Sequence, residues 1–293
     1  MTQTHVIDGK EFAALLKTKI ANQILNYKQN FTPGLATILV GTNPGSQIYI
    51  KNKIKTSHDL GIKSYHLDLP ATISEIALLS EIKTLNDDPN IDGILVQMPL
   101  PDHIDANRII NAIDPQKDVD GFHPINAAAL YMNQKGLYPC TPMACIYLLK
   151  QTLSSLRGLK TLVIGRSMIV GKPLSLMLLH EDATITIAHS QTIDLKTLCL
   201  DADVIIAAIG RPHFLRGSWI KPGAVIIDVG INRSQDPDSK KIMGDVCFEE
   251  ALGHASAITP VPGGVGPMTI AFLMYNTLKA ACLRRGYEVP DMF

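Results

Sequence analysis

The sequence predicts an α/β protein with two domains. Short, continuous apolar runs alternate with longer segments of helical periodicity, which is typical of parallel sheets covered by helices on both faces. At 293 residues the chain is long enough for two hydrophobic cores. Between about residues 121 and 160 the helical pattern continues without a strand signal, so we place the domain junction there.

Six apolar runs are predicted to be strands, two before the junction and four after it: LATILVG (35–41), IDGILVQMP (91–99), LKTLVIG (159–165), ATITIAH (183–189), ADVIIAAIG (202–210) and GAVIIDVGI (223–231). Residues 267–286 are predicted to form a long helix, with Pro267 in the first turn, where a missing N–H costs least. We therefore expect a three-layer α/β domain over 1–140, joined by the returning segment 267–293, and a Rossmann-like domain over 141–266, with a cleft between them.

Composition excludes several classes of protein. The 27 basic and 27 acidic residues balance, so the chain has no overall field that would attract nucleic acid or an anionic membrane. The five cysteines are scattered and form no C-x-x-C, which argues against a disulfide framework and against a zinc site. No apolar run reaches 18 residues, and the start, MTQTHVIDGKEF, does not resemble a signal peptide. We expect a soluble cytoplasmic protein without a metal.

A glycine-bearing turn follows the third predicted strand, in VIGRSMIVGKPLSLMLL. The strand ends at Gly165 and a helix begins near Val170, with Pro173 in its first turn. Free N–H groups and the helix dipole make such a terminus an anion site. The spacing is G-x5-G and not G-x-G-x-x-G, so an ordinary tight turn remains the alternative to dinucleotide binding.

The next strand indicates which dinucleotide would bind. It ends at His189 and Ser190, where an NAD enzyme usually carries an acidic residue for the ribose 2′-hydroxyl. Arg166 and Ser190, with His189, instead offer donors that suit a 2′-phosphate. The residues favour NADP over NAD.

Polar residues in the first half of the chain suggest a second ligand site. In SQIYIKNKIK, Tyr49 and Lys53 are four residues apart and share a helix face, although solvated lysines are common in such segments. Gln97 ends a predicted strand, where α/β sheets bind ligands, although a buried amide bonded to backbone would fit equally well. Asp118 and Asp120 lie in PQKDVDGFHP, where a capping or solvated role is the ordinary interpretation.

These motifs together resemble the FolD-type methylenetetrahydrofolate dehydrogenase/cyclohydrolase family, over about residues 6–284. They occur in the family's order: YIKNKIK, DGILVQMPLP, KDVDGFHP, PCTP, GRSMIVGKP, DVGIN and TPVPGGVGPMT. The resemblance implies a homodimer that oxidises 5,10-methylenetetrahydrofolate to the 5,10-methenyl form with NADP and then hydrolyses it to 10-formyltetrahydrofolate. A relative with only the dehydrogenase activity and a non-catalytic NADP-binding sensor are the alternatives.

The resemblance also implies roles for individual residues. Lys53 would be the catalytic lysine, Gln97 its amide partner, Tyr49 the ring that stacks on the folate, and Asp120 the carboxylate that grips the pterin. The Gly- and Pro-rich loop would line the folate through Pro262, Gly263 and Gly264. The NADP positions would be Gly165, Arg166, Ser167, Gly171, Ser190 and Ile231. Ala128 and Ala144 stand where the family often has glycine, which leaves the local helix geometry open.

Overall fold

The computed structural model of the chain describes residues 3–233 and 242–292. Its strands are β1 (His5–Val6), β2 (Gly34–Val40), β3 (Lys63–Leu69), β4 (Gly93–Val96), β5 (Lys160–Ile164), β6 (Thr184–Ala188), β7 (Val204–Ala207), β8 (Val225–Asp228), β9 (Asn232–Arg233), β10 (Ile242–Met243) and β11 (Ala257–Ile258). Its α-helices are α1 (Gly9–Tyr27), α2 (Pro44–Asp59), α3 (Glu75–Asp87), α4 (Ala106–Ala112), α5 (Pro124–Tyr131), α6 (Cys140–Thr152), α7 (Gly171–His180), α8 (Leu195–Asp201), α9 (Phe248–Ala251) and α10 (Val265–Arg285). A 3-10 turn spans Gly217–Trp219.

The predicted α/β class is confirmed, and each of the six predicted strands is present as β2 or β4 to β8. β3 was not predicted from the sequence. It pairs with β2 along its whole length, from Gly34 opposite Lys63 to Val40 opposite Leu69. As the edge strand of its sheet it alternates polar and apolar residues, and it lacks the continuous apolar run that marks a strand buried on both faces.

The unit formed by residues 14–140 and 270–292 contains the parallel sheet β3-β2-β4. On the central strand β2, Ala36 and Ile38 face a cluster that includes residues of α3 and α4. The alternate positions Leu35 and Leu39 point to the opposite face and are also buried. The sheet is therefore covered on both faces, as expected for a three-layer domain.

The unit formed by residues 3–13 and 141–269 contains a six-stranded parallel sheet in the order β1-β11-β8-β7-β5-β6. Residues 1–13 were predicted to belong to the first domain. Residues 3–13 lie instead in this unit, because His5 and Val6 pair with Ala257 and Ile258. A two-residue strand carries no periodicity, so this long-range pairing leaves no signal in the sequence.

The last helix contributes contacts to the 14–140 unit through its C-terminal half. The buried carboxylate of Asp92 accepts hydrogen bonds from the backbone N–H of Gly34 at 3.0 Å and from Arg284 Nη1 at 2.7 Å, and it also pairs with Arg285.

Ala128 lies in α5 and Ala144 in α6, so both positions are regular helix, which alanine favours. Among the described residues, no helix is both long and apolar enough to span a membrane.

Candidate functional site

Helix α2 separates its lysines by face, as the spacing predicts. The Asn43 side chain caps the helix by accepting hydrogen bonds from the N–H groups of Gly45 and Ser46. One face of the helix is buried and includes Lys53, which is only 5% exposed. Lys51 and Lys55 are exposed. The helix therefore holds one amine inside the protein and two in solvent.

Lys53 is hydrogen-bonded to the amide that follows β4. Its Nζ donates to Gln97 Oε1 at 3.1 Å, and Gln97 Nε2 donates to the carbonyl of Met98 at 2.7 Å. The backbone N–H of Gln97 donates to the carbonyl of Ile38 at 2.9 Å, which continues the sheet by one residue. Both ends of the Gln97 amide are thus fixed, and its oxygen is directed at the amine.

Two further side chains border this amine. Lys53 Nζ lies 4.5 Å from the centroid of the Tyr49 ring, a distance at which the ring face attracts a cation. The carboxylate of Asp120 interacts electrostatically with Lys53. Residues from α2, from the end of β4 and from the loop after α4 are therefore brought together in one cluster.

The two aspartates of the loop have different roles. Asp118 is buried and accepts hydrogen bonds from the N–H of His123 at 2.8 Å and from Asn126 Nδ2 at 2.9 Å, so its role is structural. Asp120 makes no side-chain hydrogen bond with any described residue, which leaves its carboxylate available to a ligand. Gly121 follows with φ +73°, and a Cβ there would lie 2.4 Å from the carbonyl carbon of Tyr138.

Burial shifts the proton equilibria of the cluster. Desolvation lowers the pKa of Lys53, and the nearby Asp120 and Cys140 oppose that shift. Desolvation raises the pKa of Asp120 to about 6, with Lys53 opposing the shift and Asp118 adding to it. Burial also raises the pKa of the Tyr49 hydroxyl. Lys53 is therefore neutral at a lower pH than an exposed lysine, and Tyr49 stays protonated.

Two side chains that hold the Asp120 loop were not predicted from the sequence. Asn276, fully buried in α10, donates to the carbonyls of Val119 and Tyr138, each at 2.8 Å. Cys140 is also buried and donates from Sγ to the same Val119 carbonyl at 3.3 Å. A lone amide within the apolar stretch AFLMYNTLKAA was the available signal for Asn276.

Lys117 is a second buried lysine, and its surroundings differ from those of Lys53. Its Nζ donates to the backbone carbonyls of Leu85, Asn86 and Asp88, at 2.9, 2.6 and 2.8 Å. These carbonyls end α3, where unsatisfied oxygens and the helix dipole favour a cation. Lys117 therefore stabilises the fold, because its amine donates to three backbone carbonyls.

The turn after β5 has the form that the sequence predicted. Gly165 has φ +127°, and a Cβ there would lie 2.2 Å from the carbonyl oxygen of Ala208, so only glycine fits. Ser167 Oγ accepts hydrogen bonds from the N–H groups of Val170 at 3.1 Å and Gly171 at 3.3 Å. Helix α7 begins at Gly171, so the turn leads directly into a helix N-terminus.

A cavity of about 350 Å³ opens beside this turn. It is lined by Gly165 of the predicted nucleotide turn, by Arg166, His189 and Ser190, which were predicted to be donors to a 2′-phosphate, and by Arg211 after β7, which was not predicted. No carboxylate belongs to this lining among the described residues. The donor set of two guanidinium groups, an imidazole and a hydroxyl fits a phosphate-bearing nucleotide.

The remaining predicted positions lie in the same unit as this turn. Ile231 follows β8 with its side chain exposed. Pro262, Gly263 and Gly264 lie between β11 and α10, and Gly263 has φ +113°. A Cβ at Gly264 would lie 2.6 Å from the carbonyl oxygen of Pro260, so the loop is closely folded on itself.

Comparison with known proteins gives full-length matches. The family model described as tetrahydrofolate dehydrogenase/cyclohydrolase, catalytic domain, matches residues 7–120, and the NAD(P)-binding domain of the same family matches residues 139–285. The chain is 52% identical over 300 residues to the Bifunctional protein FolD of Rhodospirillum centenum, covering 99% of each protein. It is 53% identical over 295 residues to the protein of that name from Paramagnetospirillum magneticum, covering 100% of this chain and 99% of the relative.

Solved structures give the same result. The bifunctional FolD methylenetetrahydrofolate dehydrogenase/cyclohydrolase from Campylobacter jejuni is 46% identical, with a TM-score of 0.93 over 96% of this chain and 99% of that one. The Trypanosoma brucei dehydrogenase-cyclohydrolase, complexed with NADP cofactor and inhibitor, is 36% identical, with a TM-score of 0.93 over 98% of this chain and 99% of that one.

Proposed function

The chain belongs to the tetrahydrofolate dehydrogenase/cyclohydrolase family, and on that premise we propose that it is a bifunctional enzyme of one-carbon metabolism. It oxidises 5,10-methylenetetrahydrofolate to 5,10-methenyltetrahydrofolate with NADP and hydrolyses the product to 10-formyltetrahydrofolate. We assign the folate chemistry to the unit of residues 14–140 and 270–292, and cofactor binding to residues 141–266.

One observation carries this proposal: the buried amine of Lys53, hydrogen-bonded to Gln97 beside Tyr49 and Asp120. A cofactor-binding sensor has no need of a desolvated amine held at a fixed amide. A dehydrogenase without hydrolase activity would not need a positioned proton acceptor either. The cluster therefore favours both activities over the two alternatives.

The first reaction needs positioning more than acid–base chemistry. The two nitrogens of the substrate stabilise the cation that forms, and NADP, when bound, accepts the hydride. Tyr49 supplies a flat face for the folate, and Asp120, whose carboxylate accepts no hydrogen bond from the described residues, offers that carboxylate to the donors of the pterin. Pro262, Gly263 and Gly264 offer close backbone approach for the rest of the folate.

The second reaction needs a proton acceptor. Water attacks the methenyl carbon, and its proton passes to a base as the C–O bond forms. Lys53 suits this role because burial lowers its pKa, and a bound folate cation would lower it further. Gln97 holds the amine through its oxygen, which leaves the nitrogen lone pair free. The bond from this carbon to N5 then breaks as the hydroxyl formed from water loses its remaining proton to become the formyl C=O, and N5 takes up one proton, so the overall reaction releases one proton.

The preference for NADP over NAD rests on the donors around the cavity after β5. Arg166 and Ser190 would hold the 2′-phosphate, while Gly165, Ser167 and Gly171 place backbone and hydroxyl groups at the N-terminus of α7. Ile231 would contact the cofactor from the end of β8. The NADP-bound relative from Trypanosoma brucei supports this choice.

The decisive experiment supplies purified protein with methylenetetrahydrofolate and either NADP or NAD, and follows methenyl and formyl products separately. Both products should form, and faster with NADP. Accumulation of the methenyl compound without enzymatic hydrolysis would leave only the dehydrogenase. Cofactor binding without any folate oxidation would identify a sensor.

We also propose a cytoplasmic homodimer. All five cysteines are free thiols, which suits a reducing compartment. β6 is the last strand of its sheet in the described part of the chain and exposes Ile187, so a second copy could cover this edge. Sedimentation equilibrium should give twice the chain mass, and a monomer at micromolar concentration would contradict the dimer.

A further inference from the structure

Two arginines reach the same cavity from neighbouring strands. Arg166 follows β5 and Arg211 follows β7, and these strands pair in parallel from Thr161 opposite Val204 to Ile164 opposite Ala207. Their carboxyl ends therefore lie side by side. His189 and Ser190 follow β6, which pairs with β5 on its other side. The ends of three adjacent strands thus supply the polar lining of one cavity.

Neither cavity arginine has an acidic partner among the described residues. Other surface arginines do: Arg108 pairs with Glu75, and Arg216 pairs with Glu250. Two guanidinium groups that line one cavity without a carboxylate repel each other, so the arrangement favours an anionic ligand. A phosphate dianion can accept two hydrogen bonds from each guanidinium.

The loop that carries Arg211 is fixed by a buried carboxylate. Asp245 accepts hydrogen bonds from the backbone N–H groups of Ile209 at 2.7 Å, Gly210 at 3.0 Å and Arg211 at 2.8 Å. Its own N–H donates to Asp228 Oδ1 at 2.9 Å, and both aspartates are buried. The backbone of Arg211 is therefore held in place before any ligand arrives, which lowers the entropy cost of binding.

We propose that Arg211 is a second specificity-determining residue of the cofactor site, binding the 2′-phosphate of NADP together with Arg166, and that Asp245 is its positioning residue. This inference rests on the proposed function, because it takes NADP as the ligand. NAD presents a neutral hydroxyl where NADP presents the phosphate. Arg211 should therefore affect the two cofactors unequally.

The test is isothermal titration of the full chain with NADP and NAD, without folate, for the parent and for Arg211→Gln, Arg166→Gln and Arg157→Gln. Arg157 is exposed and outside the cavity, so it is the matched control. Arg211→Gln should weaken NADP binding about tenfold or more and leave NAD binding within about twofold. Arg157→Gln should change neither. Adenosine 2′,5′-bisphosphate should repeat the NADP result, and adenosine 5′-monophosphate the NAD result.

The outcomes separate this inference from the proposed function. A parent protein with no preference for NADP over NAD would overturn the cofactor assignment and this inference together. A parent that prefers NADP, with Arg211→Gln unchanged, would overturn the inference alone. Equal weakening of both cofactors would also overturn it, because Arg211 would then contact the adenosine.

The positioning role of Asp245 has its own measurement. In the parent, Asp245→Asn should reduce the ratio of NADP affinity to NAD affinity. In the Arg211→Gln variant, which already lacks the guanidinium, adding Asp245→Asn should not reduce this ratio further. A purely structural role would lower both affinities equally in both backgrounds and would refute the positioning role.

Discussion

Replacing Lys53 with Met should separate the two activities. Methionine keeps most of the length and the apolar stem of the side chain but removes the amine that lies 3.1 Å from Gln97 Oε1. Loss of a general base slows proton transfer, so hydrolysis of the methenyl compound should fall by about 10² or more. Hydride transfer needs no proton from Lys53, and it should persist while Tyr49 and Asp120 still orient the folate.

The fold should survive this change. Gln97 Oε1 loses its donor, at a cost of about 1–3 kcal/mol, but the protein no longer has to bury an amine that is 5% exposed. These effects oppose each other, and thermal unfolding should show a protein that is still folded at assay temperature. Lys51→Met and Lys55→Met are the controls. Both side chains are exposed, so stability should change by less than about 0.5 kcal/mol.

The assay follows hydrolysis by the loss of the methenyl chromophore and dehydrogenation by NADPH formation. Because burial lowers the pKa of Lys53, the neutral fraction rises at a lower pH than for an exposed lysine. The hydrolysis rate should therefore increase with pH and level off below the ordinary titration range of lysine. If Lys53→Met hydrolyses the methenyl compound as fast as the parent, or if Lys51→Met is equally damaging, the assignment of Lys53 as the base is wrong.

Three further predictions concern other residues. Arg166→Ala should weaken NADP binding by about 1.5–3 kcal/mol and NAD binding far less; equal losses in a titration would place the 2′-phosphate elsewhere. Burial raises the pKa of Asp120 to about 6, so its carboxylate becomes protonated as the pH falls through 6. In the parent, KM for the folate should therefore rise as the pH falls below about 6. In Asp120→Asn this rise should be absent. Lys117→Met leaves three carbonyls at the end of α3 without their donor, so denaturant unfolding should show a loss of at least about 2 kcal/mol. A stable Lys117→Met would show that water replaces the amine.

The class of the fold and the form of the turn after β5 follow from local patterns in the sequence. Continuous apolar strands must be covered on both faces, and this forces a parallel sheet with helices above and below it. Helical periodicity alone places Lys53 on a different face from Lys51 and Lys55. The turn from Gly165 to Gly171 was predicted because its constraints are local: a strand end, a positive φ and a helix start all lie within seven residues.

Long-range packing determines which polar groups contact each other. Lys53 and Lys117 are both lysines in recognisable motifs, but one amine is bonded to a side chain from another element and the other to the end of a helix. β1 and Arg211 depend on partners far away in the chain, and Asn276 reaches the Asp120 loop across 157 residues. Burial and pKa depend on such long-range neighbours, because desolvation is set by everything that packs around a group. The local periodicity of the sequence gives no information about these long-range neighbours.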